Sequence, residues 1–364
     1  DVVLEIRATP GHTPESISIV VYEHEGDVVP YGVLTGDTMF IGDVGRPDLL
    51  AAEGLSPREM AGQLYRSLHR GLLTLPDETR VYPAHGAGSA CGRNLSSETS
   101  STIGEQRRQN YALQPMSEAA FTDLILEGQP VRPAYFSYDA QRNREQHPLL
   151  READPPRPLT LDDALTLQRK GAVLLDTRTP ADFAAGHLRG ALNVGLQGRF
   201  AEYAGDVIRP EQEVILVCDD GTELEARVRL ARIGFDKVVG HLAEPMRVLL
   251  DHPSLVEVSS RLSPVELGTR LDTVPDIVIV DVRNRGELDR GSIPGFVHIP
   301  LAALTERVDE LDPSLPTVVY CAGGYRSSIA ASLLAAHGFS DVSDLLGGYE
   351  GWTTAAPLRG RRTG

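Results

Sequence analysis

The feature that most limits the folds open to this chain is an internal repeat in its second half. Residues 172–194 (AVLLDTRTPADFAAGHLRGALNV) match residues 277–299 (IVIVDVRNRGELDRGSIPGFVHI), and residues 213–221 match residues 316–324 in the same way. Corresponding positions recur about 104 residues apart. The sequence therefore predicts two copies of one structural unit, which we place at 158–255 (repeat 1) and 262–358 (repeat 2).

Each repeat alternates short apolar strands with helical stretches. This pattern predicts a parallel sheet with helices on both faces. In such sheets, ligands bind at the carboxyl ends of the strands. Cys218 follows the apolar run VILV and Cys321 follows TVVY, so both cysteines are expected at that edge.

The loop around Cys321 has the composition of a reactive thiol site, reading YCAGGYRSS over residues 320–328. A thiolate is stabilised by a helix amino terminus and by a nearby cation, which Arg326 supplies. Glycines let backbone N–H groups turn inward and form an anion-binding cradle. We therefore predict that Cys321 is the nucleophile and Arg326 its catalytic cation. The predicted substrate-binding residues are Gly323, Gly324, Tyr325 and Ser327, while Ser327 and Ser328 could cap the helix or donate to bound sulfur.

This loop resembles the active loop of the rhodanese family, and the repeat resembles the tandem form of that family. Asp281, Arg283, Gly295, His298 and the segment GGYEGW (347–352) match framework positions. Four residues separate the cysteine from the arginine, as in sulfurtransferases, whereas related phosphatases and arsenate reductases have five. The resemblance implies that a Cys321 persulfide passes sulfane sulfur between thiosulfate or a persulfide and acceptors such as sulfite or glutathione.

Repeat 1 departs from this pattern. Cys218 is followed by DDGTEL, so no arginine stands where repeat 2 has Arg326, and three carboxylates surround the thiol instead. Negative charge raises a thiol pKa and repels anionic sulfur donors. Arg227 comes too late in the chain to replace Arg326. We predict that repeat 1 is inactive.

The first 152 residues carry a different set of signals. His12, Asp37 and His85 each follow a predicted strand in a Gly-containing loop. Imidazole and carboxylate groups are suitable metal ligands once those strands lie side by side. The sequence therefore predicts a metal site formed by His12, Asp37 and His85.

These contexts resemble the carboxyl-terminal half of the metallo-β-lactamase αββα fold. The stretch GDTMFIGDVGRPDL is similar to the persulfide dioxygenase branch, which uses one Fe(II) held by two histidines and an aspartate. The resemblance implies that His12 and Asp37 bind iron, that His85 lies beside it, and that Arg46 anchors a carboxylate of a glutathione-type substrate. Cys91 is expected to pack near the site without acting as a nucleophile.

One iron ligand is missing from the sequence as it stands. The fold normally supplies its first ligands from a His-x-His-x-Asp-His segment, and no two of the ten histidines here are separated by one residue. The chain opens at Asp1 in what reads as a strand already in progress. We expect the remaining ligand to lie upstream of this chain.

The predicted fold class is α/β: the carboxyl-terminal part of a metallo-β-lactamase fold (1–152), then two rhodanese-like doubly wound parallel-sheet domains. The implied function is iron-dependent oxidation of glutathione persulfide to sulfite, coupled to sulfur transfer through Cys321. Its implied reactants are glutathione persulfide, O2, thiosulfate or sulfite, and glutathione. Two alternatives stay open: a zinc-dependent thioester hydrolase of the glyoxalase II kind, and a sulfurtransferase with a decayed metal domain.

The net charge and the cysteine spacing indicate which partners and which cellular compartment are expected. The formal net charge of −16 disfavours binding to nucleic acid or to an anionic membrane. The three cysteines are widely spaced and indicate no disulfide framework, so a reducing cytoplasm is expected. The sequence leaves open whether the chain forms a homodimer.

Overall fold

The computed structural model describes residues 1–51, 54–86, 91–92, 96–129, 131–133, 135–146 and 150–359. Residue contacts divide the chain into two compact units, Asp1–Arg132 and Pro133–Gly364. Among the described residues, no helix combines the length and the apolar composition that crossing a bilayer requires.

The first unit is built on one mixed sheet of five strands in the order β1-β2-β3-β4-β5. Strands β3 and β4 are parallel, and the other neighbours are antiparallel. The strands are β1 (Val3–Ala8), β2 (Ile17–Tyr22), β3 (Gly32–Gly36), β4 (Arg80–Pro83) and β5 (Ser101–Thr102). Because β1 is antiparallel to β2 and β2 to β3, strands β1, β3 and β4 end at the same edge of the sheet.

Three α-helices complete this unit: α1 (Pro57–Ser67), α2 (Ile103–Gln109) and α3 (Glu118–Leu126). Ser56 caps α1 ahead of a proline in its first turn, and Thr102 forms a capping box with Glu105 on α2. Leu64 of α1 and Phe121 of α3 are fully buried in the core of this unit.

The opposite face of this sheet is apolar and exposed. Leu4 and Ile6 of β1 are 58% and 56% exposed, and Ile17 and Leu34 on the neighbouring strands are exposed as well. Paired strands bring these side chains into one apolar surface.

The second unit opens with α4 (Tyr135–Arg142), which precedes repeat 1. The strands of repeat 1 are β6 (Pro158–Leu159), β7 (Val173–Asp176), β8 (His187–Leu188), β9 (Leu192–Asn193), β10 (Val214–Val217), β11 (Val238–Leu242) and β12 (Val256–Glu257). Its helices are α5 (Leu161–Arg169), α6 (Pro180–Ala185), α7 (Phe200–Val207), α8 (Glu223–Ala231) and α9 (Pro245–Asp251).

Repeat 2 has the main strands and helices of repeat 1 in the same order, without a counterpart of β8 and β12 among its described residues. Its strands are β13 (Ser260–Leu262), β14 (Val278–Asp281), β15 (Phe296–His298), β16 (Thr317–Tyr320) and β17 (Val342–Leu345). Its helices are α10 (Pro264–Thr273), α11 (Leu301–Arg307), α12 (Tyr325–Ala336) and α13 (Gly348–Arg359), with a 3-10 helix at Arg285–Arg290 between β14 and β15.

The two sheets confirm the predicted duplication and the predicted fold class. Their strand orders are β6-β11-β10-β7-β9 and β13-β17-β16-β14-β15, with every pair parallel. Leu216 faces the core cluster that includes α7 and α8, while Ile215 and Val217 face the cluster that includes α5 and α9. Helices therefore cover both faces of the sheet in repeat 1, as the continuous apolar strands predict.

The two repeats share one hydrophobic core. Phe200 of α7, Leu304 of α11 and Ile329 of α12 are fully buried in the same cluster. Asn193, the last residue of β9, also donates its backbone N–H to Ser332 Oγ on α12, at 2.9 Å. Repeats 1 and 2 therefore pack directly on each other.

The division between the units differs from the expected boundary near residue 152. The ring of Tyr135 on α4 packs edge-on against Phe235 of repeat 1, with 6.4 Å between centroids. It also lies against Gly205 of α7, where a Cβ atom would collide with it. Residues 133–152 therefore belong to the second unit. The contact of Tyr135 with repeat 1 joins residues far apart in the chain, so the composition of the segment does not predict it.

Candidate active sites

Cys321 lies directly after β16, at the carboxyl edge of the sheet in repeat 2. Its side chain is 2% exposed, and its Sγ accepts the backbone N–H of Gly324 at 3.1 Å. Gly324 has a φ of 107°, a left-handed conformation that favours glycine, and it is the cap of α12. The loop thus aims a backbone dipole at the sulfur, at the start of a twelve-residue helix.

The segment GGYEGW (347–352) forms hydrogen bonds with the backbone of this loop. The N–H groups of Tyr349 and Glu350 donate to the carbonyls of Cys321 and Ala322, at 2.7 and 3.1 Å. A Cβ atom on Gly348 would collide with the same two carbonyls. Glycine is needed at position 348 because the start of α13 approaches the backbone of the loop closely.

Arg326 forms an ion pair with Glu287, a partner that its sequence context does not predict. Its two terminal nitrogens donate to both carboxylate oxygens of Glu287, at 2.6 and 2.8 Å. Burial lowers the pKa of Arg326, but the hydrogen bonds and charge of Glu287, with a smaller contribution from Cys321, raise it above its usual value. Arg326 is thus a fixed cation near Cys321, and Glu287 holds it in place.

The other predicted residues of the loop have different fates. Ser327 Oγ lies 3.6 Å from Cys321 Sγ and donates to the Gly324 carbonyl, so it remains beside the sulfur. An added Cβ on Gly323 would meet no atom within 4 Å, so the space beside that residue is open. Ser328 bonds back to the Tyr325 carbonyl within α12 and caps nothing, contrary to expectation.

The side chain of Tyr325, a predicted substrate-binding residue, points to repeat 1 instead of to Cys321. Its hydroxyl donates to the carbonyls of Gly195 and Gln197 in repeat 1, at 2.5 and 3.1 Å. Its ring packs edge-on against Tyr203, with 5.3 Å between centroids. The side chain of Tyr325 therefore ties the catalytic helix to repeat 1.

Cys218 occupies the matching position in repeat 1 without the matching chemistry. Burial raises the pKa of its thiol to about 12; a hydrogen bond with Thr222 opposes this shift, while the carboxylates of Glu223 and Asp219 add to it. Arg227 donates to the carbonyls of Arg151 and Asp154 instead of approaching the sulfur. A thiol in these surroundings stays protonated at neutral pH.

His12, Asp37 and His85 lie together at the edge of the first sheet. Asp37 follows β3 and contacts both histidines: Oδ2 lies 3.2 Å from His12 Nε2, and Oδ1 lies 3.3 Å from His85 Nε2. The Asp37 carboxylate, followed by Cys91, raises the pKa of His85 to about 10. Burial raises the pKa of Asp37, but its bonds to the two histidines hold that pKa well below its usual range.

The side chains of this cluster have the donor atoms that a metal ion requires. His12 Nδ1 donates to the Arg46 carbonyl at 2.9 Å, so the lone pair of the neutral ring lies on Nε2. That nitrogen faces an ionised carboxylate oxygen, and two acceptors at this distance need a proton or a cation between them. The ligating atoms of His12, Asp37 and Cys91 all lie within 4.8 Å of one another.

Cys91 lies near the site, as the sequence predicts, but the sequence does not predict it as a candidate metal ligand. Its position six residues after His85, in the loop that follows β4, was the available signal. Its backbone carbonyl accepts the Arg46 N–H at 3.1 Å, which fixes the loop beside the cluster.

The side chain of Arg46, the predicted substrate anchor, is buried and paired within the fold. Its side chain is 1% exposed, and Nε and one terminal nitrogen donate to the two carboxylate oxygens of Asp48, at 2.7 and 2.8 Å. Because its carbonyl also holds His12, Arg46 supports the cluster from within the fold.

Both repeats match a known protein family. The family model described as Rhodanese-like domain matches residues 160–246 and 263–355. The thiosulfate sulfurtransferase GlpE of Coxiella burnetii is 37% identical over 82 residues, which are 22% of this chain and 77% of that protein. A sulfurtransferase of Allochromatium vinosum is 33% identical over 86 residues, which are 24% of this chain and 80% of that protein.

A solved structure resembles a larger part of the chain. A crystal structure of a metallo-β-lactamase from Staphylococcus aureus superposes with a TM-score of 0.58 at 30% identity. The match covers 66% of this chain and 66% of that one.

Proposed function

Because this chain belongs to the rhodanese-like family, with a metallo-β-lactamase fold ahead of two rhodanese repeats, we propose that it is a sulfur-metabolism enzyme in which Cys321 carries a sulfane sulfur. The observation that carries this proposal is the hydrogen bond from the Gly324 N–H to Cys321 Sγ, at the start of α12. Cys218, in the other copy of the same fold, has surroundings that keep its thiol protonated. Repeat 2 is thus the reactive copy, and repeat 1 supports it.

The reaction proceeds by two nucleophilic displacements at sulfur. The Cys321 thiolate attacks the outer sulfur of thiosulfate, the S–S bond breaks, and sulfite leaves with the bonding electron pair. A nucleophilic acceptor then attacks the outer sulfur of the Cys321 persulfide and restores the thiolate. The Gly324 N–H stabilises the negative sulfur at both stages, and Ser327 Oγ lies close enough to contribute.

Arg326 supplies positive charge beside this sulfur. Its pairing with Glu287 fixes the guanidinium in one orientation and leaves other N–H groups of the guanidinium for a sulfite or thiosulfate oxygen. Glu287 also offsets part of the charge, so Arg326 attracts an anionic donor without binding it irreversibly.

The sulfurtransferase proposal is tested by a cyanide–thiosulfate assay on the whole chain. Cys321→Ser is expected to abolish turnover, whereas Cys218→Ser, the matched change in repeat 1, is expected to retain it. Equal activity of wild type and Cys321→Ser would exclude Cys321 as the carrier.

For the first unit, we propose a mononuclear Fe(II) site that oxidises a glutathione persulfide with O2. His12 and Asp37 would hold the ion, with His85 and Cys91 beside it. Such an ion supplies open coordination positions for a persulfide sulfur and for O2. The likeness of GDTMFIGDVGRPDL to persulfide dioxygenases supports this choice. The protein residues orient the ligands: the Arg46 carbonyl fixes the His12 ring, and Asp48 keeps Arg46 in place.

This second proposal is tested by metal analysis and by O2 uptake. Protein that contains iron is expected to consume O2 with glutathione persulfide and to release sulfite. Iron-loaded protein that consumes no O2 would refute the dioxygenase proposal without affecting Cys321.

The glyoxalase II alternative is favoured by one observation. Asp37 presents one carboxylate oxygen to each histidine, an arrangement suited to a carboxylate shared by two metal ions. Two zinc ions per chain, thioester hydrolysis and no O2 uptake would support this alternative.

A further inference from the structure

A cavity lies where repeat 1 would have its own active site. Its volume is about 460 Å3, and it opens at the carboxyl edge of the repeat 1 sheet. Its wall includes Thr177 after β7, Asp219 and Thr222 beside Cys218, and Tyr325 from repeat 2. A cavity of this size suits a small organic molecule.

One residue of the cavity wall has a buried hydroxyl that the fold does not need. Thr177 is 4% exposed, and its Oγ1 has no hydrogen-bond partner among the described residues. The matching position in repeat 2 is Val282, and both residues accept the same kind of backbone hydrogen bond, from Leu196 and from Leu301. Because a valine at this position forms the same backbone hydrogen bond, that bond does not require the threonine hydroxyl. The hydroxyl is therefore a buried polar group without a hydrogen-bonding role among the described residues.

The charges on the cavity wall favour a ligand of one charge sign. Arg199 also lines it, but its guanidinium is paired with Glu202 through two hydrogen bonds. Asp219 is an exposed residue of the cavity wall, and no ion pair joins its carboxylate to another described residue. The wall therefore carries one uncompensated negative charge, and Glu223 in the first turn of α8 adds another nearby.

The remaining wall is apolar and aromatic. Pro180, Leu196 and the rings of Tyr203 and Tyr325 line the cavity, and the two rings pack edge-on. Tyrosine faces attract cations and apolar groups, and they do so more strongly away from water.

We propose that this cavity binds a small organic cation that carries an ammonium group on an aromatic or aliphatic body. Asp219 and the Thr177 hydroxyl recognise the ammonium group, and the aromatic wall covers the body. The same negative charge excludes the sulfur oxyanions that react at Cys321. The degenerate active site of repeat 1 is therefore a ligand site of different chemistry, and its existence does not depend on sulfur transfer.

The test uses the full chain and three probes of matched size: phenethylamine, the neutral 2-phenylethanol and the anionic 3-phenylpropionate. Titration calorimetry at low salt is expected to show saturable binding of phenethylamine, weaker binding of the alcohol and none of the acid. Asp219→Asn is expected to weaken phenethylamine binding about fivefold, the effect of one partly exposed ion pair. Thr177→Val, which installs the residue found in repeat 2, is expected to weaken it as well.

Asp220→Asn is the matched control, because Asp220 is adjacent in sequence but does not line the cavity. It is expected to leave binding unchanged, and thermal melting of each variant verifies that the fold is retained. The proposal is overturned by the absence of saturable binding, by equal binding of the three probes, or by equal losses in Asp219→Asn and Asp220→Asn.

Discussion

Cys218 is expected to resist alkylation far more strongly than a cysteine in an unfolded chain. Only the thiolate reacts appreciably with an alkylating reagent. An unperturbed cysteine has a pKa of about 8.5 and is therefore about one-quarter thiolate at pH 8. With the pKa of Cys218 raised to about 12, its thiolate fraction at pH 8 falls to about one in ten thousand. The thiolate fraction of an unperturbed cysteine therefore exceeds that of Cys218 by about two thousandfold.

The assay is iodoacetamide labelling at pH 8, with acid quenching and peptide mass spectrometry to follow each cysteine separately. The rate at Cys218 is compared in the folded chain and in guanidinium chloride. A folded rate within tenfold of the denatured rate would refute the assignment of repeat 1 as inert. Cys321, measured in the same samples, is expected to react faster than Cys218.

A second variant separates the causes of this inertness. Glu223→Arg places an arginine where repeat 2 has Arg326. Because burial is the largest cause of the raised pKa of Cys218, with Glu223 a smaller one, the variant should speed labelling by less than about tenfold. If Glu223→Arg raised the labelling rate of Cys218 in the folded chain to the rate in guanidinium chloride, charge and not burial would be the main cause of its low reactivity.

Three further predictions concern stability and metal binding. Asp281→Ala leaves the buried guanidinium of Arg283 without its partner and should lower the free energy of unfolding by about 3–5 kcal/mol in chemical denaturation. Burial raises the pKa of Asp139 to about 7, so this group stabilises the fold below about pH 4, and that contribution is lost as pH rises through 7. Asp139→Asn should therefore raise stability by about 1 kcal/mol at pH 8, after allowance for its partial exposure, and leave it unchanged at pH 4. Asp37→Asn should reduce the iron or zinc bound per chain, measured by elemental analysis after metal loading.

The predictions for Asp281 and Asp37 each have a matched control on the surface, and the one for Asp139 is checked by comparing the two pH values. Asp123 forms an exposed pair with Arg58, so Asp123→Ala should cost less than about 1 kcal/mol. Asp27 lies 3.7 Å from His24 at an exposed site, so Asp27→Asn should leave metal content unchanged. A loss as small for Asp281→Ala as for Asp123→Ala, a pH-independent effect at Asp139, or unchanged metal content in Asp37→Asn would contradict the respective prediction.

The sequence predicts the parts of this molecule that depend on local pattern. Apolar runs followed by a glycine-containing loop locate Cys321 and Cys218, and the repeat predicts two parallel sheets of the same order. The edge where His12, Asp37 and His85 meet follows from their positions after strands, because parallel strands end on one side.

Contacts between distant residues were beyond such reasoning. Glu287 precedes Arg326 by 39 residues, and the Tyr325 hydroxyl bonds a carbonyl 130 residues away. A turn arginine such as Arg46 looks solvated in sequence, yet packing buries it against Asp48. Similarly, Tyr135 joins repeat 1 through a ring contact that no local composition encodes.

The central claim is that Cys321 alone carries the transferred sulfur. The most direct measurement is whole-protein mass spectrometry after incubation with thiosulfate and removal of excess donor, on wild type, Cys321→Ser and Cys218→Ser. One added sulfur atom in wild type and in Cys218→Ser, mapped to the peptide that contains Cys321, is the predicted result. An added sulfur that persists in Cys321→Ser, or that maps to Cys218 in wild type, would contradict it.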